Sequence, residues 1–238
     1  MQRNKDSSFF VAISGNVEII SNNTLIKKDS FVVKSPSAKT LDALPDFGYL
    51  KRYWLKNHTS YLFKLTIKDA FGKDTAATYR ASKTVSLHYR PDSILFSSVQ
   101  FIDIIEKSDT QDIYYKHGYT IVPYNDNYFN ESFDQLKFLL EIYNTDTVLG
   151  KSELFLIQYK IVDKDTQTPL EKFGGFRKFT TSKTNVLIGN IPVKNLPSGN
   201  YYLLVELKDK NNRTLKKTQV FFQRKGTYAN NPSLLNKE

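Results

Sequence analysis

The chain contains no cysteine, one methionine, one tryptophan and three histidines among its 238 residues. The absence of cysteine excludes disulfides, thiolate metal sites and a cysteine nucleophile. The histidines, His58, His88 and His117, stand far apart, and no pair has a metal-ligand spacing such as H-x-x-x-H. There is no G-x-S-x-G elbow and no Walker lysine pattern. The sequence therefore predicts no catalytic residue, no metal and no cofactor, and we expect a protein that is not an enzyme.

Long apolar runs and export signals are also missing. No apolar stretch approaches the ~18 residues of a transmembrane helix, so we expect no transmembrane segment, and any membrane association would be peripheral. The beginning of the chain, "MQRNKDSS", is polar and shows no signal peptide. On these grounds alone the chain is either cytosolic or a fragment of an exported protein.

Charge is abundant but dispersed. The formal net charge is +10, from 34 Lys and Arg against 24 Asp and Glu. Divided at residue 110, each half carries about +5, and no run of basic residues exceeds two. Nucleic-acid sites usually gather Arg and Lys on one stripe or tail. The sequence therefore predicts no nucleic-acid partner and only weak, salt-sensitive association with polyanions.

Alternation of apolar and polar residues dominates the chain. In "YLFKLTIKD" (61–69) and "YYLLVELKD" (201–209) one face is apolar, which is typical of strands packed against a core. One helical turn is predicted near 40–46. The predicted fold class is all-β, with two tandem immunoglobulin-like β-sandwich domains and little helix. The other strand candidates are 8–20, 30–34, 83–89, 94–102, 119–123, 136–144, 153–163, 176–180, 184–189 and 217–223.

Two pairs of segments indicate an internal repeat. The stretch 55–69 resembles 196–209, and 7–21 resembles 152–165. In immunoglobulin-like sandwiches a tyrosine at the start of a late strand often bonds back to the preceding loop. Tyr201 fits that role and Tyr61 fits it less well. The alternative is that both are ordinary core aromatics.

The repeat sets the predicted domain organisation. The alternation is interrupted by "IIEKSDTQDIYYKHG" (104–118), which we interpret as the boundary. The prediction is a first sandwich at 1–106, a linker at 107–118, a second sandwich at 119–226, and a C-terminal tail or severed linker at 227–238.

The first repeat has no counterpart of "KFLLEIYNT" (137–145), which precedes the strand at 152–162 in the second. We therefore expect the first sandwich to lack its opening strand and to show an unpaired edge at 9–17. Either the chain is a truncated fragment, or a partner protein docks there by adding the strand. The candidate docking residues are Phe9, Val11, Ile13 and Val17.

An aromatic cluster lies in "PYNDNYFNESF" (123–133), beside amides and carboxylates. Exposed in a row, these rings could stack on sugars and form a glycan-binding module. Alternatively, they pack between the two sandwiches. The candidate residues are Tyr124, Tyr128, Phe129 and Phe133.

Three segments carry a family resemblance: "YTIVPYNDNYFNESFDQLKFLLEIYNTD" (119–146), "LPSGNYYLLVELKDKNNRTL" (196–215) and "VFFQRKG" (220–226). They resemble the N-terminal region of Bacteroidota envelope proteins that carry a C-terminal GWxTD domain, although the GWxTD segment itself is absent. The resemblance implies an exported, extracytoplasmic protein, in the periplasm or at the cell surface, whose partners are other envelope proteins. It brings no catalytic motif, so we expect a non-catalytic interaction or scaffolding module.

Overall fold

The computed structural model describes residues 2–3, 8–44, 47–72 and 78–226. The predicted all-β fold class is confirmed. Among the described residues the helical elements are a 3₁₀ turn at Leu41–Ala43, which matches the turn predicted near 40–46, and a short helix α1 at Thr145–Leu149. Within the same residues no helix has the length and apolar character needed to cross a membrane.

The chain divides into two compact units, residues 1–89 and 90–238. The first unit contains one four-stranded antiparallel sheet, sheet I, in the order β4-β3-β5-β6, and a short two-stranded sheet, β1-β2. Its strands are β1 Gln2–Arg3, β2 Phe9–Phe10, β3 Ala12–Ser21, β4 Thr24–Lys34, β5 Thr59–Asp69 and β6 Thr78–Leu87.

The second unit is a sandwich of two sheets. Sheet II has the order β15-β12-β8-β10-β9, with β7 also paired to β12, and sheet III has the order β11-β17-β16-β13-β14. Its strands are β7 Leu95–Phe96, β8 Gln100–Lys107, β9 Tyr115–Lys116, β10 Tyr119–Pro123, β11 Tyr128–Phe129, β12 Gln135–Tyr143, β13 Leu154–Asp163, β14 Pro169–Thr180, β15 Thr184–Pro192, β16 Gly199–Lys208 and β17 Thr214–Arg224.

Asparagine and aspartate residues form the turns of two hairpins. Asn22 and Asn23 join β3 to β4, and both adopt positive φ angles, 47° and 59°. Two consecutive positive φ angles are characteristic of a type I′ turn, whose twist matches that of a two-residue hairpin. Asparagine tolerates these angles well. Between β16 and β17, the Asp209 carboxylate accepts bonds from the backbone N–H groups of Asn211 and Arg213.

The two units differ greatly in the size of their cores. Of the 30 hydrophobic residues that are buried in the described chain, 26 lie in the second unit. Most of these interdigitate between sheets II and III in one continuous cluster. The four in the first unit are Ala12, Ile19, Ala38 and Tyr61.

Sheet I repeats the topology of sheet III. Strands β4-β3-β5-β6 correspond in order and direction to β14-β13-β16-β17. The tyrosines at the start of β5 and β16 also correspond. Tyr201 donates its hydroxyl hydrogen bond to the Pro197 carbonyl at 3.1 Å, and Tyr61 donates to the Lys56 carbonyl at 3.2 Å. The bond back to the preceding loop is therefore present in both repeats.

The predicted domain boundary is wrong. The contacts divide the chain after Tyr89 rather than at residue 106, because β8 pairs with both β12 and β10 inside sheet II. The predicted linker at 107–118 contains β9 and belongs to the second unit. The predicted tail at 227–238 lies outside the described residues.

Candidate functional site

Sheet I has one apolar and one polar face. On the polar face Lys28 forms an ion pair with Glu18 at 3.1 Å, and Ser30 donates to Asn16 at 2.7 Å. We call the opposite side the apolar face. Strand register places on it Ile13, Gly15, Val17, Ile19, Phe31, Val33, Tyr61, Phe63, Leu65, Ile67, Ala81 and Val85 and, from the two outer strands, also Lys27, Asp29, Tyr79 and Lys83.

The apolar face is less covered than its counterpart in sheet III. Leu203, Val205 and Leu207 in β16 are completely buried. The corresponding residues of β5, Phe63, Leu65 and Ile67, are only half-buried. In the second unit sheet II covers this side, whereas the described part of the first unit contains no second sheet packed on sheet I. The predicted inward faces of both strands are thus correct, but only β16 reaches full burial.

The outward residues match the expected exposure in the first repeat but not in the second. Lys64 and Lys68 are exposed, as predicted. Glu206 and Lys208, which we expected to be exposed, are half-buried. Glu206 lies 3.6 Å from Lys160 on the neighbouring strand, which covers part of its side chain.

Part of the apolar face is crossed by residues 47–56, which we call the strap. These residues connect β4 to β5 without regular secondary structure. Tyr49 stacks on Phe31 with ring centroids 4.7 Å apart, and Tyr53 lies 6.2 Å from Phe63. Phe31 in turn covers Gly15, where a Cβ would stand 2.4 Å from the ring. Any side chain at position 15 would displace the ring on which the strap rests.

Polar bonds fix the middle and the C-terminal end of the strap. Lys51 forms an ion pair with Asp29 of β4 at 3.0 Å, and the Tyr53 hydroxyl donates to the same carboxylate at 3.2 Å. The bond from Lys51 holds the pKa of Asp29 below its ordinary value. At the C-terminal end the Lys56 N–H donates to the Tyr61 hydroxyl at 3.0 Å.

Large apolar side chains of the strap remain exposed. Trp54, the single tryptophan of the chain, is 87% exposed. Leu50 is also exposed. Beside the strap runs an open groove of about 570 Å³, lined by Val17, Lys51, Tyr53, Phe63, Lys64, Leu65, Ala81, Ser82, Lys83 and Val85.

The surroundings of the groove are basic. Lys27 lies 5.6 Å from the Tyr53 ring, and Lys51 and Lys83 line the groove itself. No carboxylate is among the described residues that line it. With the boundary after Tyr89, the first unit has 14 basic and 7 acidic residues, a net charge of +7, which leaves +3 for the second. A division at residue 110 gives about +5 to each half, but it does not follow the boundary between the units.

The predicted docking edge at Phe9, Val11, Ile13 and Val17 is also wrong. Strand β3 is central in sheet I, with Ile13 and Val17 paired to β4 on one side and β5 on the other. Val11 is bonded to Ser35, and Phe9 exchanges two backbone bonds with Ala38. The outer strands of sheet I are β4 and β6.

The aromatic cluster of 123–133 does not form an exposed row. Phe129 is 1% exposed, and Tyr124 and Phe133 pack against the core of the second unit. Of the four candidates, Tyr128 alone is exposed, and Tyr124 donates its hydroxyl hydrogen bond to the Tyr128 carbonyl. The rings of Tyr124, Phe129 and Phe133 pack on the core of the second sandwich itself, so they do not form the exposed row that was envisaged for stacking on sugars.

Arg224 holds this block in place. Its guanidinium is buried and donates to the carbonyls of Asn130 and Phe133. Burial lowers the pKa of Arg224. Phe222, two residues earlier in β17, lies 5.8 Å from Phe129. The end of β17 therefore fixes the conformation of 128–133.

The residues around Glu141 form a compact polar cluster on sheet II. Its carboxylate lies 2.7 Å from the His117 ring nitrogen and 3.2 Å from the Lys116 ammonium, and it accepts from the Tyr143 hydroxyl at 2.6 Å. Burial raises the pKa of Glu141, but the bonds from Tyr143, His117 and Lys116 outweigh it, so the pKa lies below its ordinary value. Burial and the same bond raise the pKa of Tyr143.

This cluster anchors 108–118, the segment predicted to be a linker. Strand β9 is at the edge of sheet II, with β10 and β8 between it and β12, yet its Lys116 reaches Glu141 of β12.

Ile102, Ile121 and Leu139 are buried as a second apolar cluster of sheet II. In the described part of the chain no group of acidic or histidine residues has the arrangement of a metal site.

Comparisons with known proteins give no family. No protein-family model and no curated protein matches the chain. Among solved structures, it is similar to a glycosyl hydrolase family 2 member from Bacteroides cellulosilyticus DSM 14838, with 10% identity and a TM-score of 0.35. It is also similar to the exo-chitosanase CsxA of Amycolatopsis orientalis (11%, TM-score 0.27) and a beta-glucuronidase of Parabacteroides merdae (10%, TM-score 0.26).

These similarities involve small parts of much larger proteins. The alignments cover 90%, 92% and 90% of this chain, but 26% of each of the three other chains. At such low TM-scores the likeness carries no information about activity or ligand.

Sequence reasoning missed the strap and the groove. The segment "YLKRYWLK" (49–56) carries no apolar–polar alternation, because apolar or aromatic and basic residues occur at both odd and even positions. In the structure Tyr49, Lys51 and Tyr53 contact sheet I or its Asp29. Trp54 is 87% exposed, and Tyr49 itself is 44% exposed.

Proposed function

We propose that this chain is a non-catalytic interaction module that docks a partner protein through the apolar face and strap of its first unit. One observation carries the proposal: Phe63, Leu65 and Ile67 are half-buried where their counterparts in the second unit are completely buried. Contiguous exposed apolar surface with a polar rim marks interaction sites in soluble proteins.

The proposed setting is an extracytoplasmic complex of the bacterial envelope, in the periplasm or at the cell surface. Its support is the resemblance of 119–146, 196–215 and 220–226 to envelope proteins that carry a GWxTD domain. The proposal is non-enzymatic because the strongest cluster of titratable side chains, around Glu141, is engaged in bonds that anchor 108–118.

The test is capture of partners from envelope fractions of the native organism, with variants that separate the two units. Leu65→Glu places a charge in the groove, and Trp54→Ala removes the exposed ring of the strap. The matched control is Phe176→Ala, which removes a ring that is 66% exposed in the second unit. We expect a reproducible partner that the control retains and both first-unit variants lose. Retention by all three variants, or loss from the control as well, would overturn the proposal.

A second candidate, glycan binding, is favoured by one feature of the second unit. An open cleft of about 880 Å³ combines the rings of Tyr124 and Phe221 with the amides of Gln100, Asn125 and Asn127. Stacking faces beside planar polar groups are suited to sugars. A glycan array probed with the native chain and with Asn125→Ala tests this candidate. Binding that Asn125→Ala does not reduce would place any sugar site elsewhere.

A further inference from the structure

We infer that the partner of the first unit binds as an extended, acidic segment that lies along the strap, as β12 lies along β15 in the second unit. The inference rests on the proposed function, since it uses the same apolar face. It adds the conformation and charge of the bound segment. Three observations support it: the internal repeat, the contacts that Tyr49, Lys51 and Tyr53 make with sheet I, and the charge around the groove.

The repeat supplies the geometric template. The strap connects β4 to β5, and β15 occupies the equivalent connection between β14 and β16. In the second unit β15 pairs with β12 over nine residues, from Gln135 opposite Pro192 to Tyr143 opposite Thr184. In the described part of the first unit no strand pairs with the strap. A segment in the position of β12 would cover the apolar face as sheet II covers sheet III.

The strap already rests on sheet I. Tyr49 and Tyr53 contact the phenylalanines of sheet I, although Tyr49 keeps part of its ring exposed, and Trp54 points into solvent with 87% exposure. A paired segment would place its own side chains next to Trp54, since cross-strand neighbours lie about 5 Å apart. Tryptophan at the centre of an interface commonly contributes a large share of the binding energy.

Charge selects the chemistry of the bound segment. Lys27, Lys51 and Lys83 surround the groove, and the nearby carboxylate, Asp29, already holds Lys51 and Tyr53. Because complementary charge favours association and like charge opposes it, the partner segment should be acidic. A second copy of the chain fits poorly, because it would bring a first unit of +7 against another.

The single tryptophan allows a direct measurement. The probes are two synthetic peptides of residues 135–143, the β12 sequence, whose Leu136, Phe138, Leu140 and Ile142 supply an apolar face. The acidic peptide carries Gln135→Glu and Lys137→Glu, and the basic peptide carries Gln135→Lys and Glu141→Lys. Binding to the full chain is followed by the emission of Trp54, with the self-association of the chain measured at the same concentrations.

The expected result is a saturable blue shift of Trp54 emission with the acidic peptide, weakened by salt and about tenfold weaker with the basic peptide. Lys83→Glu, an exposed change, should reduce this preference, and Leu65→Glu should abolish binding. The inference fails if neither peptide shifts the emission, if both bind equally, or if the chain dimerises through Trp54. If the peptides fail while a captured partner still depends on Leu65 and Trp54, the proposed function stands and only this inference is lost.

Discussion

Replacing Leu203 with alanine tests the contribution of the closed core to the second unit. Leu203 is completely buried in β16, opposite Ile161 on one side and Val220 on the other. Because two packed sheets enclose the position, the neighbours cannot collapse fully into the space. The variant therefore loses both the transfer free energy of the removed carbons and the packing around a residual cavity. We expect the free energy of unfolding to fall by about 2–5 kcal/mol.

Leu65→Ala is the matched comparison in the first unit. Leu65 occupies β5, opposite Val17 and Ala81, but its side chain is only half-buried. The groove already opens its surroundings to water, so truncation leaves no closed cavity. The variant loses about half of the transfer free energy of a leucine, so we expect the free energy of unfolding to fall by about 1 kcal/mol.

Hydrogen exchange and spectroscopy distinguish the loss of stability in Leu203→Ala from that in Leu65→Ala. Mass spectrometry resolves the amides of β5 from those of β16, and urea unfolding is followed by circular dichroism and by Trp54 emission, which reports on the first unit. A loss below about 1 kcal/mol for Leu203→Ala, or equal losses for both variants, would contradict the assignment of a closed core to one unit and an open face to the other.

Three further predictions concern single contacts and charge. Tyr201→Phe removes the bond to Pro197 and should cost about 1 kcal/mol in thermal unfolding, whereas no change would show that packing alone holds the ring. Because the folded-state pKa of Glu141 is lowered, its stabilisation of 108–118 is present above the pKa of an unfolded glutamate and is lost as pH falls through the folded value. Exchange protection of that segment should therefore drop in acid, and Glu141→Gln should remove this dependence. In gel-shift assays at near-physiological salt we expect no tight nucleic-acid complex, because no run of basic residues exceeds two, and submicromolar binding would contradict this expectation.

Alternation and turn residues made much of sheet III predictable. In β16, Tyr201, Leu203, Val205 and Leu207 point inward as the period of two requires. Gly199 precedes them, and a Cβ there would stand 2.9 Å from the Tyr201 hydroxyl. These features are local, so a single sequence records them. The repeat then placed β5 in the same register. Tyr61, which fits the tyrosine role less well in the sequence, nevertheless makes the bond to its loop.

The domain boundary was not predictable from local patterns, because it depends on remote pairing. Strand β8 belongs to the second unit since it pairs with β12, which lies more than 30 residues later. The interruption at 104–118 is the connection from β8 to β10, with Lys116 reaching back to Glu141. A break in alternation marks the end of a strand, and it carries no information about which sheet the next strand joins.

The docking hypothesis failed at the edge of β3 for a related physical reason. The prediction assumed that the segment before a strand pairs with it, but β12 crosses through α1 to the opposite sheet before β13 begins. In the part of the first unit that the structure describes, the apolar face is therefore incompletely covered, whereas β3 has a neighbour on each side. The irregular strap follows from the same incomplete cover, because a segment becomes a strand only when another strand accepts its backbone hydrogen bonds. Phe63 and Leu65 remain half-buried, and residues 47–56 remain unpaired by any described strand, for one shared reason. A single bound segment in the position of β12 would satisfy both.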